Sequence, residues 1–303
     1  MNAIAEPRHF AEMAFTQMET RFDAEFGVLW GFMNPTPRPT FNSTLLAEAR
    51  DFAASISGSR GLVLHNGQHH KINYVVEASK VPGIYNLGGD LALFREAIAA
   101  QDRPKLLEYG RSCIENVYSW ATAFDQPLTT IALVQGDALG GGFESALAAS
   151  VLVAEESARL GFPEILFNLF PGMGAYSLLS RKVGRRTTEE MISSGNLYTG
   201  RQLYDMGVVD VLATDGAGEL AVFNYIKKHA KAANGRRGIE AASREVSPIT
   251  YDELARVVEV WVDAALRLGE RDIRMMERLV RAQSKGAELE LVSSNVTPLQ
   301  RTA

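Results

Sequence analysis

A short apolar run, Thr130-Ile131-Ala132-Leu133-Val134, passes into Gly136-Asp137-Ala138-Leu139-Gly140-Gly141-Gly142-Phe143-Glu144 and then into an alanine-rich helical stretch, Ser145 to Ser150. No other segment limits the possible folds so tightly. A brief apolar run bounded by turn signals reads as a strand buried on both faces. The glycines let the chain turn sharply and open a helix. Val151-Leu152-Val153-Ala154 is a further strand, and Leu160-Gly161-Phe162 is a short extended piece that delivers Pro163-Glu164. Upstream, Val28 to Met33, Gly61 to His65 and Ile72 to Ala78 read as strands, with helical patterns over Phe41 to Ala54 and over 104–124. Strands alternating with helices imply an α/β fold whose sheets are covered on their faces.

The flanks are helical by pattern. Phe10, Met13, Ala14, Met18 and Phe22 stand at mixed helical spacing, which predicts a helical extension over residues 1–25. A core over 26–225 follows, then a helical region over 226–286. In that region Leu254, Val257, Val258, Trp261, Ala264, Ala265 and Leu268 recur at three- and four-residue steps, and Gly269 divides two helices. The tail, 287–303, has no strong period and is expected to be loosely ordered.

Composition removes several classes. A formal charge of −5 over 303 residues argues against general affinity for nucleic-acid backbones. One cysteine, Cys113, forbids an intramolecular disulfide and any multi-cysteine metal site. It falls inside a helical pattern and reads as a buried packing residue. The start, Met1-Asn2-Ala3-Ile4-Ala5-Glu6, has no basic or apolar signal character, and no apolar run reaches the roughly 18 residues of a membrane span. A soluble, cytoplasmic protein is expected. The His69-His70 pair reads as exposed loop rather than a metal site.

The glycine cluster admits two readings: a tight turn packing helix on strand, or backbone N–H groups left open to a bound oxygen. Nucleotide motifs fit poorly, because no Gly-Lys-Ser/Thr ending is present and Ser145 stands where a dinucleotide fingerprint wants Gly or Ala. Neither a Gly-x-Ser-x-Gly elbow nor a His-Glu-x-x-His motif occurs. Glu144 lies in the first turn of the helix, where negative charge is favourable. Its neighbours Phe143, Ala146, Leu147 and Ala148 describe a buried helix start, and a carboxylate held there needs a partner or a task. Glu164 sits among Phe162, Pro163, Ile165 and Leu166, surroundings that raise a carboxyl pKa by desolvation. Brought together facing oxyanion donors, the two would form an acid/base pair for proton abstraction beside a carbonyl.

The ordered series Gln126-Pro127, Gly136 through Glu144, Gly161-Phe162-Pro163-Glu164, Pro171-Gly172-Met173-Gly174, Gly184-Arg185-Arg186 and Gly207-Val208-Val209-Asp210 resembles the crotonase (enoyl-CoA hydratase/isomerase) superfamily. Arg38-Pro39-Thr40-Phe41-Asn42 extends the likeness. The chain is most similar to the diffusible-signal-factor synthase branch, through Tyr85-Asn86-Leu87-Gly88-Gly89-Asp90-Leu91-Ala92-Leu93-Phe94, Phe143 to Leu147 and Phe170 to Tyr176. Common hydratases carry an alanine-glycine-alanine-aspartate type of turn where this chain has Leu87-Gly88-Gly89-Asp90.

The resemblance implies a crotonase-type ββα spiral with C-terminal helices, assembled as a trimer. It implies catalytic glutamates at Glu144 and Glu164; Glu144 is expected to be the base and Glu164 the protonated partner, an assignment that coupling between the two leaves open. The oxyanion donors it implies are the amides of Gly89 and Gly141. Gly88, Leu139 and Gly140 fall beside them, and Met173, Trp261 and Leu279 are candidates for the acyl wall, although Trp261 is equally a packing residue. The branch dehydrates 3-hydroxyacyl groups carried on the phosphopantetheine of acyl carrier protein, then hydrolyses the thioester to a cis-2-unsaturated fatty acid used in quorum sensing. No metal or other cofactor is implied. An ordinary enoyl-CoA hydratase acting on CoA esters, or a non-catalytic regulator-binding protein, are the alternatives. Some members are held inactive by a sensor-kinase partner. The basic stretch Lys227-Lys228-His229-Ala230-Lys231 through Arg236-Arg237 would suit an acidic carrier protein, or is simply a solvated helix.

Overall fold

In the computed structural model, which describes Phe10 and residues 13–285, β1 (Met18–Asp23) and β2 (Val28–Met33) form an antiparallel pair ahead of α1 (Ser43–Gly58). A hairpin of β3 (Leu62–His65) and β4 (Gln68–Lys71) comes next. Three units of like plan follow. The first is β5 (Tyr74–Ser79), β6 (Ile84–Asn86), α2 (Leu91–Ala99) and α3 (Arg103–Ala121). The second is β7 (Thr129–Val134), β8 (Asp137–Leu139) and α4 (Gly141–Ala148). The third is β9 (Val151–Glu155), β10 (Arg159–Gly161) and α5 (Ala175–Ser194). After β11 (Leu197–Thr199), α6 (Gly200–Asp205), β12 (Val211–Ala213) and α7 (Gly218–His229), three helices end the described residues: α8 (Ala233–Val246), α9 (Tyr251–Ala265) and α10 (Glu270–Lys285).

In each unit the first strand joins a six-stranded sheet of order β1-β2-β5-β7-β9-β12, and the second joins a four-stranded sheet of order β11-β10-β8-β6. Strands β2, β5, β7, β9 and β12 run parallel, as do β6, β8 and β10. The chain therefore winds as a ββα spiral with C-terminal helices, the α/β crotonase-type fold. Parallel sheets need cover on both faces, which explains why every residue of β7 is buried. Ala132 and Val134 face the helical layer, whereas Ile131 and Leu133 pack with Val222 and Ile226 of α7 on the opposite face. The C-terminal helices come down over the helical layer. A Cβ on Gly110 of α3 would lie 2.6 Å from Val258 of α9, so only glycine allows that approach.

Three expectations need correction. The helical extension over 1–25 ends in a strand: Met18–Asp23 pairs residue for residue with β2, from Met18↔Met33 to Asp23↔Val28. The edge of β2 offers six residues of backbone partners, and that pairing overrides a weak local period. The spiral thus begins before residue 26, and α7 crosses the boundary drawn at 225. His69 and His70 lie on β4, opposite Leu64 and Val63, not in a loop. Gly269 does separate α9 from α10. The tail over 287–303 lies outside the described residues, as do residues 1–9.

Candidate active site

Two glycine turns meet where the small sheet ends. Asn86, fully buried at the end of β6, accepts the Gly88 N–H on Oδ1 at 2.8 Å and so shapes the first turn. Gly88 has φ +90°, and a Cβ there would stand 2.7 Å from the Leu139 carbonyl and 3.0 Å from the Gly141 nitrogen. A Cβ on Gly141 would stand 3.4 Å from the Gly89 nitrogen. The amides of Gly89 and Gly141 thus come side by side, and neither meets a protein acceptor among the described residues. The turn is held from outside as well. Phe41 N–H donates to the Gly88 carbonyl at 2.8 Å, and the Tyr109 hydroxyl donates to the Phe41 carbonyl at 2.6 Å while accepting the Asp90 N–H at 3.2 Å. Asp90 caps α2 and pairs with Arg38 at 2.9 Å.

The second turn carries the carboxylates. Gly140 has φ +52° and opens α4, which places Glu144 in its first turn, only 2% exposed. Glu144 Oε1 accepts the N–H groups of Met173 at 2.8 Å and Ala175 at 2.9 Å. Burial raises its carboxyl to about 7, with those two bonds pulling the other way. Glu164 stands in the 3₁₀ turn Pro163–Phe167. It packs so closely on Gly140 that a Cβ there would lie 2.2 Å from its Oε1, and its Oε2 is buried with no donor. Burial first, and the Glu144 charge second, raise Glu164 to about 8. Two coupled carboxyls with such values share one proton near neutrality, and the arrangement favours Glu144 ionised with Glu164 protonated.

All ten residues singled out in the sequence converge on one cavity of about 90 Å³. Gly88, Gly89, Leu139, Gly140, Gly141, Glu144, Glu164, Met173, Trp261 and Leu279 all line it. A single water needs only about 10–15 Å³, so several substrate atoms fit. Trp261 is both wall and packing: it meets Phe94 edge to face at 5.0 Å, and Gly172 is glycine because a Cβ would fall 2.4 Å from the indole. Cys113 is buried as expected, and burial pushes its thiol up, yet it also borders the cavity. The basic stretch does not border it: α7 lies against the far face of the large sheet. There Arg236 donates to the Tyr225 hydroxyl at 2.6 Å and Arg237 to Asn73 Oδ1 at 2.9 Å.

Four polar residues of the wall escaped sequence reading: Glu77, Tyr109, Asn116 and Ser145. Glu77 had left a signal, a lone charge in the otherwise apolar strand Tyr74-Val75-Val76-Glu77-Ala78. Among the described residues no group of three or more His, Cys, Asp or Glu side chains is placed to hold a metal, and no helix is long and apolar enough to cross a membrane.

A fold of parallel ββα turns with paired buried glutamates beside two open amides defines a recognisable class. The sequence signature of the enoyl-CoA hydratase/isomerase family matches residues 62–236, and the chain belongs to that family. It is 44% identical to the 2,3-dehydroadipyl-CoA hydratase of Escherichia coli K12 over 99 residues, 32% of this chain and 38% of that protein. It is 31% identical to human mitochondrial methylglutaconyl-CoA hydratase over 152 residues, 50% of this chain and 43% of the relative. Each alignment spans less than half of the curated relative. Among solved structures, the enoyl-CoA hydratase of Bacillus halodurans superposes with a TM-score of 0.69 at 18% identity, covering 87% of this chain and all (100%) of that one. DspI of Pseudomonas aeruginosa superposes with a TM-score of 0.64 at 23% identity, covering 81% of this chain and 95% of that one. These likenesses establish the fold.

Proposed function

We propose that this protein removes water from a 3-hydroxyacyl thioester carried on acyl carrier protein and then hydrolyses the thioester, releasing a cis-2-unsaturated fatty acid signal. The observation that carries the reading is the convergence of Glu144, Glu164 and the unpartnered amides of Gly89 and Gly141 on one apolar cavity. With the thioester oxygen between the two N–H groups, charge that develops as the α-proton leaves is met by preorganised donors, commonly worth a few kcal/mol each. Ionised Glu144 takes the α-proton, and protonated Glu164 delivers its proton to the departing β-hydroxyl. The pair then holds the same number of protons as before, with the roles exchanged. In the hydrolytic half, Glu164, now ionised, takes a proton from the water that attacks the thioester carbon, and the same amides receive the oxyanion. Collapse of the oxyanion breaks the C–S bond, and Glu144 returns its proton to the departing phosphopantetheine thiol, which restores the starting pair. The route asks for no metal or further cofactor beyond the substrate's own phosphopantetheine.

Retention of both carboxyls supports addition or elimination of water over isomerisation or dehalogenation. The distinctive Leu87-Gly88-Gly89-Asp90 turn supports the signal-synthase branch, and a homotrimer and inhibition by a sensor kinase belong to the same reading. A second reading, hydration of enoyl-CoA esters, draws support from the CoA hydratases among the relatives. Even-chain 3-hydroxyacyl groups from butanoyl to tetradecanoyl, offered on carrier protein and on CoA, separate the two. Free cis-2-enoic acid released from carrier protein supports signal synthesis. Interconversion of CoA esters without free acid supports the hydratase, and no turnover of either supports a non-catalytic role.

A further inference from the structure

The cavity wall holds a third buried carboxyl that neither the acid/base pair nor the amide pair uses. Glu77 stands in the middle of β5, flanked in register by Gly31 of β2 and Ala132 of β7, so no bulky neighbour covers it from the sheet. It is 6% exposed and lines the cavity. A carboxyl in such a place is costly unless hydrogen-bonded. Its Oε2 accepts from two hydroxyls, Ser145 Oγ at 2.6 Å and the phenol of fully buried Tyr85. Burial pushes the Glu77 carboxyl up, and those two bonds pull it back.

The two hydroxyls come from the two arms of the amide site. Tyr85 belongs to β6, the strand that delivers Gly88-Gly89, while Ser145 follows Glu144 in the helix that Gly141 opens. Pairing of β6 with β8 would by itself hold the arms in register, but that ladder slips at Tyr85. Ile84 pairs with Asp137 and Asn86 with Ala138, two residues against one. A bulge of this kind re-aims a side chain and interrupts the ladder locally. At this position the interrupted ladder is replaced by the Tyr85–Glu77–Ser145 bridge.

We propose that Glu77 is a positioning residue: by joining Tyr85 to Ser145 it sets the spacing of the Gly89 and Gly141 N–H groups and hence their fit to the thioester oxyanion. The inference rests on the reading of those amides as oxyanion donors. Productive geometry tolerates only about 0.5 Å of error, and an interaction made chiefly in the transition state shows in kcat rather than KM.

The test uses the full chain with Glu77→Ala, Glu77→Gln, Tyr85→Phe, Ser145→Ala and the Tyr85→Phe/Ser145→Ala double variant. Dehydration kinetics on 3-hydroxydecanoyl thioesters of carrier protein and CoA are read beside amide hydrogen exchange of peptides spanning 84–91 and 140–146. Glu77→Ala is expected to lower kcat about 10- to 100-fold with KM within about twofold, the scale of a sub-ångström misplacement. Glu77→Gln, whose amide oxygen still accepts from both hydroxyls, retains clearly more kcat than Glu77→Ala. The double variant matches Glu77→Ala, and exchange rises in both peptides together. Unchanged kcat in Glu77→Ala, a loss confined to KM, or no advantage of Gln over Ala overturns the proposal. If Glu77→Ala does not fold, the two hydroxyl variants decide: both at wild-type kcat overturns it, and matched kcat losses uphold it. If wild-type protein turns over neither thioester, the reaction reading fails separately. Exchange then still decides the bridge, because no concerted rise in the two peptides overturns it.

Discussion

Replacing Glu164 by glutamine should make the protein more stable in alkaline solution, by an amount set by where the carboxyl sits. Burial, and then the charge of Glu144, carry Glu164 from 4.5 to about 8. The folded chain therefore binds this proton more tightly than the unfolded chain does. Below pH 4.5 the carboxyl is neutral in both states and the fold bears no penalty. As the pH rises towards about 8 the unfolded state gains by ionising and stability falls, levelling off once the folded carboxyl is ionised too. At about 1.4 kcal/mol per tenfold change in proton affinity, the full penalty is about 5 kcal/mol. Glutamine never ionises, but its amide would be buried where Oε2 now finds no donor, at a cost of about 1–3 kcal/mol. Glu164→Gln should then gain about 2–4 kcal/mol at about pH 9, whereas at about pH 5, where the penalty is only about 1 kcal/mol, it should be neutral to about 2 kcal/mol less stable. Urea unfolding at fixed protein concentration across that range measures the difference. A difference that is flat with pH, or larger in acid, refutes a desolvated Glu164.

The same pair of carboxyls, at about 7 and about 8, works only when it holds one proton. The kcat/KM for dehydration should therefore be bell-shaped with its maximum between those values, and a flat profile from about pH 6 to about pH 9 would contradict the shared proton. Gly140→Ala places a methyl 2.2 Å from Glu164 Oε1 at φ +52°. It should cost about 1–3 kcal/mol of stability and at least about tenfold in kcat, read by unfolding and turnover of one preparation. Trp261→Ala should shift preference towards bulkier or longer acyl chains and cost about 3–5 kcal/mol of stability; an unchanged chain-length profile rejects Trp261 as acyl wall.

What could be read from the sequence was what local chemistry determines. The strand–glycine–helix passage from Thr129 to Ala148 was legible because a doubly buried strand needs an unbroken apolar run, and because φ +52° with ψ −120° at Gly140, with a carboxylate against it, suits only glycine. The pocket residues were legible through the family resemblance rather than through spacing: Trp261 and Leu279 reach the cavity only because α9 and α10 fold back over α3 and α2. Met18–Asp23 was misread because its strand state is conferred by β2, a partner that no local pattern reveals. Glu77 was passed over inside a strand because its partners Tyr85 and Ser145 are 8 and 68 residues away in sequence.

Dehydration of a 3-hydroxyacyl thioester by wild-type, Glu144→Gln and Glu164→Gln protein, followed by mass spectrometry of the released acid, reaches the catalytic claim itself. Glutamine at 144 can still accept the Met173 and Ala175 N–H groups, so the fold of the site is kept while the base is removed. Wild-type protein should form the enoyl product and each variant should lose about 10²- to 10⁴-fold, the usual worth of a positioned acid or base. Wild-type rates in either variant would contradict a mechanism built on the two carboxyls.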